Sequence, residues 1–188
     1  MSFARAIKEV FTIEGGFSNH PSDKGGATRY GVTEAVARAN GYSGRMEELS
    51  EAEAQQIAKS QYWDVLRLDE IAGLSYPIAL ELFDTGFNCG VGTAGKFLQR
   101  SLNALNRQAR DYPEVTVDGV LGPMTVHALR LFLVKRGSDG QAVMLKALNA
   151  LQGAYYVEIS EKRPANDDFV YGWLKNRVDM TGGQHVSG

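Results

Sequence analysis

The most informative segment of the sequence is EGGFSNHPSDKGGATRYGVT, which runs from Glu14 to Thr33. Before it lies a predicted amphipathic helix, from Phe3 to Glu14, whose apolar residues recur every three or four positions. Gly15 and Gly16 are expected to end that helix. The stretch itself is rich in Gly, Pro, Ser, Asn and Asp with aromatic residues between them, which predicts a small β-hairpin or ribbon. The sequence therefore predicts a helix that leads directly into a hairpin.

Glu14 is the first candidate functional residue. It lies eleven residues after Phe3 and seven after Ile7, so it shares their apolar stripe on the predicted helix. Burial and the negative end of the helix dipole both disfavour the ionised carboxylate and raise its pKa. A carboxylic acid that stays protonated near neutral pH is what a general acid requires. The alternative is a carboxylate that pairs with Arg29 and merely ends the helix.

Asp23 and Thr28 follow Glu14 by nine and fourteen residues. A hairpin that returns across the helix end brings a second carboxylate and a hydroxyl opposite Glu14. Two carboxyl groups across a gap form the arrangement of glycosidases, with about 5 Å between them for a nucleophile and roughly 6.5–9.5 Å for a base that activates water. The segment from Ser22 to Gly25 is also ordinary turn chemistry, so Asp23 has a purely structural alternative.

The motifs EGGFSN from Glu14, DKGGAT from Asp23 and YGVT from Tyr30 closely resemble the signature of glycoside hydrolase family 108. That family contains lysozyme-like N-acetylmuramidases, found as phage endolysins and as bacterial secretion-associated muramidases. The resemblance implies that Glu14 is the catalytic acid. It also implies substrate contacts from Asn19, Tyr30 and Thr33.

The resemblance gives Asp23 and Thr28 the remaining catalytic roles. Asp23 stabilises positive charge at the sugar or positions water, and Thr28 orients that water. The wider phage-lysozyme pattern has Glu, eight residues, Asp, five residues and Thr. This chain has eight and then four, so Asp23 fits and Thr28 comes one residue early. Thr33 is therefore an alternative to Thr28. Phe17 stands where family members often have Tyr.

The rest of the chain is predicted to be helical. Thr33 is a good N-cap, and Ser50 with Glu53 has the form of a capping box. The predicted fold class is mainly α (α+β), with a lysozyme-like catalytic lobe that carries a small β-hairpin and is fused to a helical C-terminal lobe. The further predicted helices cover residues 34–40, 51–64, 77–87, 97–105, 123–137, 138–161 and 167–178.

Four glycines within the ten residues from Gly86 to Gly95 predict a lobe boundary. We expect a muramidase domain over residues 1–92, a peptidoglycan-binding domain over 93–179 and a polar, disordered tail over 180–188. About 90 residues per lobe is few for two independent domains. We therefore expect the lobes to share packing across the boundary.

The segment DGVLGPMT, from Asp118, resembles the Asp-Gly-x-x-Gly-x-x-Thr turn of helical peptidoglycan-binding modules. Aromatic side chains can stack on sugar faces and cations can meet muropeptide carboxylates, although core packing and solvation are the structural alternatives. Beside this resemblance, these residue types predict ligand contacts in the C-terminal lobe by Asp118, Tyr155, Tyr156, Trp173, Lys175 and Arg177.

Asn88 lies in FDTGFNCG, which resembles the helix-to-loop turn that lines the cleft of the same family. It is predicted either to bind the N-acetyl group of a sugar or to serve as a turn residue. The neighbouring Cys89 is the only cysteine, which excludes an intramolecular disulfide and a multi-cysteine zinc site. No cofactor and no metal are expected.

Composition limits the partners. The 188 residues carry a net charge of −2, which argues against a dedicated nucleic-acid binder. The charge divides into −5 over residues 1–92 and +3 over residues 93–188, and positive charge in the second half suits an anionic wall polymer. No stretch approaches the ~18 apolar residues of a membrane helix. Bacterial peptidoglycan is the expected partner of a monomer that binds neither nucleic acid nor membrane.

The first eleven residues lack the features of a signal peptide. We therefore expect synthesis in the cytoplasm and action in the periplasm or cell wall after release through a holin or a secretion route. The expected activity is that of a lysozyme that cleaves between N-acetylmuramic acid and N-acetylglucosamine, in endolysin-type cell lysis. The alternatives are a lytic transglycosylase, a secretion-associated muramidase and a non-catalytic wall-binding protein.

Overall fold

The structure is a computed structural model that describes residues 2–14 and 27–178, with the backbone alone for residues 12–14. The chain divides into two compact units, Met1–Val65 and Leu66–Gly188. Of the predicted features, Asn19, Asp23 and the tail at 180–188 lie outside the described residues, as does the side chain of Glu14.

The first unit has short helices around one hairpin. Its described elements are α1 (Ser2–Glu14), β1 (Thr28–Arg29), β2 (Val32–Thr33), α2 (Glu34–Ala39), a 3₁₀ turn (Met46–Glu48), α3 (Glu51–Ala58) and a π-helical turn (Lys59–Trp63).

The predicted caps of the first unit are confirmed. Thr33 accepts a hydrogen bond from the Val36 N–H at 3.4 Å and begins α2. Ser50 and Glu53 form the reciprocal capping box at the start of α3. The predicted helix to residue 64 is instead an α-helix to Ala58 that widens into the π-helical turn. That turn ends at Trp63, which is fully buried and meets the Phe3 ring edge-on.

The apolar stripe of α1 forms part of the core. Ala6, Ile7 and Val10 are 0–1% exposed, as their helical spacing predicts. Complete burial of an aliphatic side chain of this size contributes about 1.5–3 kcal/mol. The stripe therefore fixes the rotation of α1 about its axis, and with it the direction in which the helix ends.

All regular secondary structure in the described part of the second unit is helical. Its elements are α4 (Leu68–Leu74), α5 (Tyr76–Cys89), α6 (Val91–Ala104), α7 (Pro123–Lys162), a 3₁₀ turn (Pro164–Asn166) and α8 (Asp167–Arg177). The sequence analysis did not predict α4, a helix of seven residues in which two, Leu68 and Ile71, are buried.

The glycine-rich stretch predicted as a lobe boundary is mostly helix. Gly90, at φ 90°, is the single residue between α5 and α6. Gly86 permits close packing, because a Cβ there would lie 2.7 Å from Leu66 Cδ1. Helix α5 consequently packs against α4, α6 and α7 within the second unit. In the sequence, the boundary between the two compact units falls between residues 65 and 66. The domain division at 92/93 stays a prediction.

Helix α7 contains the predicted break between two helices. Gly137, at φ 58° and ψ −145°, interrupts the helical geometry within its 40 residues. The part before the break has a buried face and an exposed face. Leu129 and Phe132 are buried, but Val134 is 80% exposed because it lies on the outer face close to the break.

The mainly α class with one small antiparallel hairpin is confirmed over residues 2–14 and 27–178. Within these same ranges, no helix combines the length and the apolar character that a bilayer crossing demands.

Candidate functional site

The hairpin of the first unit is closed by a two-residue turn with both residues at positive φ, Tyr30 at 51° and Gly31 at 71°. This is the conformation that the favoured type I′ hairpin turn requires. Glycine adopts it readily, whereas a bulky side chain such as that of Tyr30 rarely does. The turn is therefore strained at a residue of the candidate site, and something must hold Tyr30 in place.

Two contacts of the Tyr30 ring keep this residue in its strained conformation. The Phe11 ring of α1 stacks on it with centroids 5.5 Å apart and an angle of 18°. The Arg29 guanidinium lies over the same ring at 5.3 Å. The hairpin turn is thereby fixed against the last part of α1.

Glu14 is the final residue of α1, three residues after Phe11. Three residues correspond to about 4.5 Å along a helix axis. The end of the helix that carries Glu14 therefore lies beside the hairpin, as the motif order predicts. A carboxylate at this helix end meets the negative end of the helix dipole.

Thr28 and Thr33 are directly opposed across the hairpin. Opposed residues of an antiparallel pair place their side chains on the same face of the sheet. The two alternatives for the water-orienting hydroxyl are thus neighbours. The Thr33 oxygen already accepts the N–H of Val36, so capping α2 occupies part of its bonding capacity.

In the second unit, Asn88 is held by Asp84, one turn earlier on α5. Its amide nitrogen donates to the Asp84 backbone carbonyl at 2.9 Å and to Asp84 Oδ1 at 3.2 Å. The side chain is exposed, and its carbonyl oxygen remains as an acceptor for a ligand N–H. This arrangement suits the predicted contact with an N-acetyl group, which stays a prediction.

Arg177 lies in an ion pair. Its Nη1 donates to Asp84 Oδ1 at 2.6 Å, and its side chain is 8% exposed. The Nε2 of Gln152, a fully buried residue, donates to the other oxygen of Asp84 at 3.2 Å. Arg177 therefore joins α8 to α5. Its positive charge is paired with Asp84, so no ligand is needed to explain its position.

The predicted aromatic ligand contacts form a packed cluster. Tyr156 is 2% exposed, and its ring lies 5.2 Å from that of Trp173. Burial raises the pKa of Tyr156 and raises the pKa of the neighbouring Cys89 thiol to about 12. Cys89 therefore stays protonated, as expected for a small apolar residue. Tyr155 and Trp173 are half-buried and keep some accessible surface, whereas Tyr156 serves packing.

Asp118 fixes a turn against α6. Its Oδ1 accepts the Gln99 side-chain amide and the Val120 N–H, both at 2.8 Å. These bonds lower the pKa of Asp118, the one from Val120 most. A Cβ on Gly95 would lie 2.2 Å from the carbonyl oxygen of Gly119, so the turn and the helix touch backbone to backbone. The Asp-Gly motif thus has a structural role, and a ligand contact by the exposed Asp118 stays a prediction.

Three amide side chains hold the loop between α6 and α7. Gln99 binds the backbone at residues 119 and 120, Asn103 binds both polar groups of Val115, and Asn106 binds both of Tyr112. Each amide offers a donor and an acceptor to the chain, as a neighbouring strand would. The loop is therefore ordered without forming a strand.

A charged cluster in this loop escaped the sequence reasoning. The side chain of Asp111 is 2% exposed and contacts Arg107, Lys135 at 3.1 Å and Arg136 at 3.5 Å. Arg107 binds it through two nitrogens, with Nε 2.9 Å from Oδ2. Only the run RQARD, from Arg107 to Asp111, is contiguous in sequence. The partners Lys135 and Arg136 from α7 lie 24 and 25 residues after Asp111, so no local pattern predicts the cluster.

The turn that precedes Asp111 is left-handed. Arg107, Gln108 and Ala109 have φ values of 50°, 61° and 59°. Left-handed helical geometry costs about 1–2 kcal/mol per residue that is not glycine. Such geometry persists only where surrounding contacts impose it. Here the hydrogen bonds from Arg107 to Asp111 span the turn and stabilise it.

Among the described residues, no group of three or more His, Cys, Asp or Glu side chains is placed to hold a metal ion.

An open groove, mostly apolar, runs beside α8 and the end of α7. Its lining residues are Val157, Ser160, Glu161, Pro164, Asp167, Val170 and Leu174.

Comparison with known proteins agrees with this architecture. Residues 7–90 match the family model of glycosyl hydrolase 108, and residues 93–178 match that of a predicted peptidoglycan domain. The solved structure of Brucella abortus SagA is similar, with 25% identity and a TM-score of 0.70 over 93% of this chain and 88% of that chain. A search of curated proteins finds no match. Residues 7–90 thus form a glycosyl hydrolase 108 segment and residues 93–178 a peptidoglycan-binding segment, and the protein is a peptidoglycan hydrolase with a C-terminal peptidoglycan-binding domain.

Proposed function

We propose that the chain is an N-acetylmuramidase that cleaves the β-1,4 bond between N-acetylmuramic acid and N-acetylglucosamine, with Glu14 as general acid. The observation that carries the proposal is the placement of Glu14 at the end of α1, beside the strained hairpin turn that Phe11 and Tyr30 hold. The family model covers both elements.

In the proposed reaction Glu14 donates its proton to the glycosidic oxygen as that bond breaks. Asp23 stabilises the positive charge that develops on the sugar, or positions the attacking water. The hydroxyl of Thr28 or of its cross-strand neighbour Thr33 orients this water. Acid–base assistance by a positioned side chain accelerates such a step by about 10²–10⁴.

The substitution Glu14→Gln tests the proposal, because glutamine keeps the shape but has no proton to donate. Glu9→Gln is the matched control, since Glu9 lies on the same helix in an exposed pair with Arg5. We expect release of muropeptides from purified sacculi to fall by about 10²-fold or more in the first variant and to be unchanged in the second. Near-normal release by folded Glu14→Gln protein contradicts the role of Glu14.

The products separate hydrolysis from the transglycosylase reaction. A muramidase leaves N-acetylmuramic acid with a reducing end, whereas a lytic transglycosylase leaves a 1,6-anhydro sugar. Mass spectrometry of wild-type digests therefore tests the reaction type. Sacculus binding with no release of either product would instead indicate a wall-binding protein without activity.

We further propose that the protein acts as a monomer in endolysin-type lysis and reaches the wall through a holin or a secretion route. Its substrate lies outside the cytoplasmic membrane, so the enzyme must cross or bypass that membrane. Expression in a bacterial cytoplasm, with and without a co-expressed holin, tests this. Lysis that depends on the holin supports the proposal, and equal lysis without it contradicts the route.

A further inference from the structure

We infer that the cations around Asp111 form a second binding site on the peptidoglycan domain, which takes the carboxylate groups of peptidoglycan stem peptides. The cluster consists of Arg107, Lys135 and Arg136 around the Asp111 carboxylate and carries a net charge of +2. The inference rests on the proposed function for the identity of the polymer, and it adds a subsite distant in sequence from Glu14.

The cations of the cluster are exposed while the carboxylate that gathers them is not. The side chain of Asp111 is 2% exposed, whereas those of Arg107, Lys135 and Arg136 are 49%, 50% and 39% exposed. Arginine has five N–H donors and lysine three. The contacts with Asp111 use two nitrogens of Arg107 and one each of the other two. Donors therefore remain on the solvent side for another anion.

The protein fixes these cations before any ligand binds. The left-handed turn at residues 107–109 brings Arg107 back onto Asp111. On α7, Lys135 and Arg136 precede the break at Gly137, and a Cβ on Gly140 would lie 2.4 Å from the Cβ of Arg136. The absence of that Cβ lets the stem of Arg136 lie against the helix. Cations held in this way lose little conformational entropy when an anion binds.

Elsewhere in the basic half, two cations predicted or available for wall binding are already engaged. Arg177 is paired with Asp84 and nearly buried, and Lys162 is paired with Glu158. Arg177 therefore contributes to the charge of +3 over residues 93–188 without presenting that charge to a ligand. The Asp111 cluster is a place where three exposed cations meet one acid.

Carboxylates are the anions that suit this cluster in the polymer that the domain binds. Stem peptides carry free carboxylates, and arginine forms charge-assisted, often bidentate, hydrogen bonds with them. Exposed pairs of this kind are individually weak and are screened by salt. Binding at this cluster is therefore expected to weaken as salt is added.

The test uses the full-length protein and a soluble muropeptide, an N-acetylglucosamine–N-acetylmuramic acid disaccharide that carries a stem peptide. This probe lacks the bond that the enzyme is proposed to cleave, so binding is measured without hydrolysis. The variant is Lys135→Gln/Arg136→Gln, and the matched control is Lys96→Gln/Lys146→Gln, two exposed lysines outside the cluster. Urea unfolding checks that both variants are folded.

At low ionic strength we expect the first variant to bind about fivefold or more weakly than wild type and the control to bind normally. Amidation of the muropeptide carboxylates should weaken wild-type binding to the same degree and have little effect on the variant. Equal affinities of wild type and the Lys135→Gln/Arg136→Gln variant would overturn the inference. Wild-type binding that ignores amidation while polyphosphate competes would also overturn it, in favour of a phosphate polymer. Neither result depends on Glu14, so the proposed function is tested separately.

Discussion

Asp84 Oδ1 and Arg177 Nη1 lie 2.6 Å apart although 93 residues separate them in the sequence. Asp84 belongs to the segment that matches glycosyl hydrolase 108, and Arg177 to the segment that matches the peptidoglycan domain. Both side chains are largely buried, at 14% and 8% exposure. One ion pair thus joins α8, the last of the described helices, to a helix of the hydrolase segment within a single compact unit.

Loss of one partner removes this ion pair from a largely buried place. We expect Asp84→Asn to lower the free energy of unfolding by about 3–5 kcal/mol, as measured by urea denaturation. The double variant with Arg177→Met should lose less than the sum of the two single variants, because it buries no unpaired charge. Asp64→Asn is the control, since its pair with Lys59 is 48% and 44% exposed and contributes at most about 1 kcal/mol. Equal effects of Asp84→Asn and Asp64→Asn would show that the buried pair is unimportant.

Two glycines of α6 give a matched pair of substitutions. A Cβ at Gly95 would lie 2.2 Å from the carbonyl oxygen of Gly119, whereas a Cβ at Gly92 meets nothing within 4 Å. We expect Gly95→Ala to lower the free energy of unfolding by about 1–3 kcal/mol. Gly92→Ala should leave it unchanged or raise it by up to about 1 kcal/mol, because alanine favours helix. A harmless Gly95→Ala would contradict the backbone contact between α6 and the Asp118 turn.

Tyr30 combines a strained backbone with a stacked ring. Tyr30→Ala keeps the strain and removes the stack on Phe11, so the free energy of unfolding should fall by about 1–2 kcal/mol. Tyr30→Phe keeps the ring and should be nearly neutral. If the variants are equally stable in thermal unfolding, the Phe11 stack does not hold the hairpin.

The pKa of Asp111 lies below its ordinary value of 3.8, chiefly because Arg107 donates hydrogen bonds to the ionised form. A carboxyl whose pKa is lower in the folded state stabilises the fold above its unfolded pKa, and this stabilisation is lost as the pH falls. Wild type should therefore unfold at higher urea concentration than Asp111→Asn at neutral pH. The difference between the urea midpoints of the two proteins should narrow below pH 3.8. A difference that stays constant in acid would show that ionisation of Asp111 contributes nothing to stability.

Local signals explain why much of the fold was predictable. The capping box at Ser50 and the cap at Thr33 lie within a few residues of the helices that they begin, and Gly137 marks its own break. The motif from Glu14 to Thr33 likewise predicted the order of helix and hairpin. These features depend on neighbours in sequence, so a single sequence reveals them.

Long-range contacts explain what the sequence left open. Nothing near Arg177 shows that its partner is Asp84, and the pattern around Tyr156 fits a buried ring and a sugar contact equally well. The Asp111 cluster brings together residues from a loop and from α7. Its left-handed turn contains no glycine, so the sequence does not predict it. Such features follow from tertiary packing, which a local pattern does not encode.

Glu14 is proposed to drive hydrolysis at N-acetylmuramic acid. Digestion of purified sacculi in ¹⁸O-labelled water, followed by mass spectrometry of the muropeptides, tests it most directly. Wild type and Glu9→Gln should place the label on the reducing end of N-acetylmuramic acid, and folded Glu14→Gln should release almost no labelled product. Label at that position from Glu14→Gln at the wild-type rate, or unlabelled anhydro products from wild type, would contradict the account.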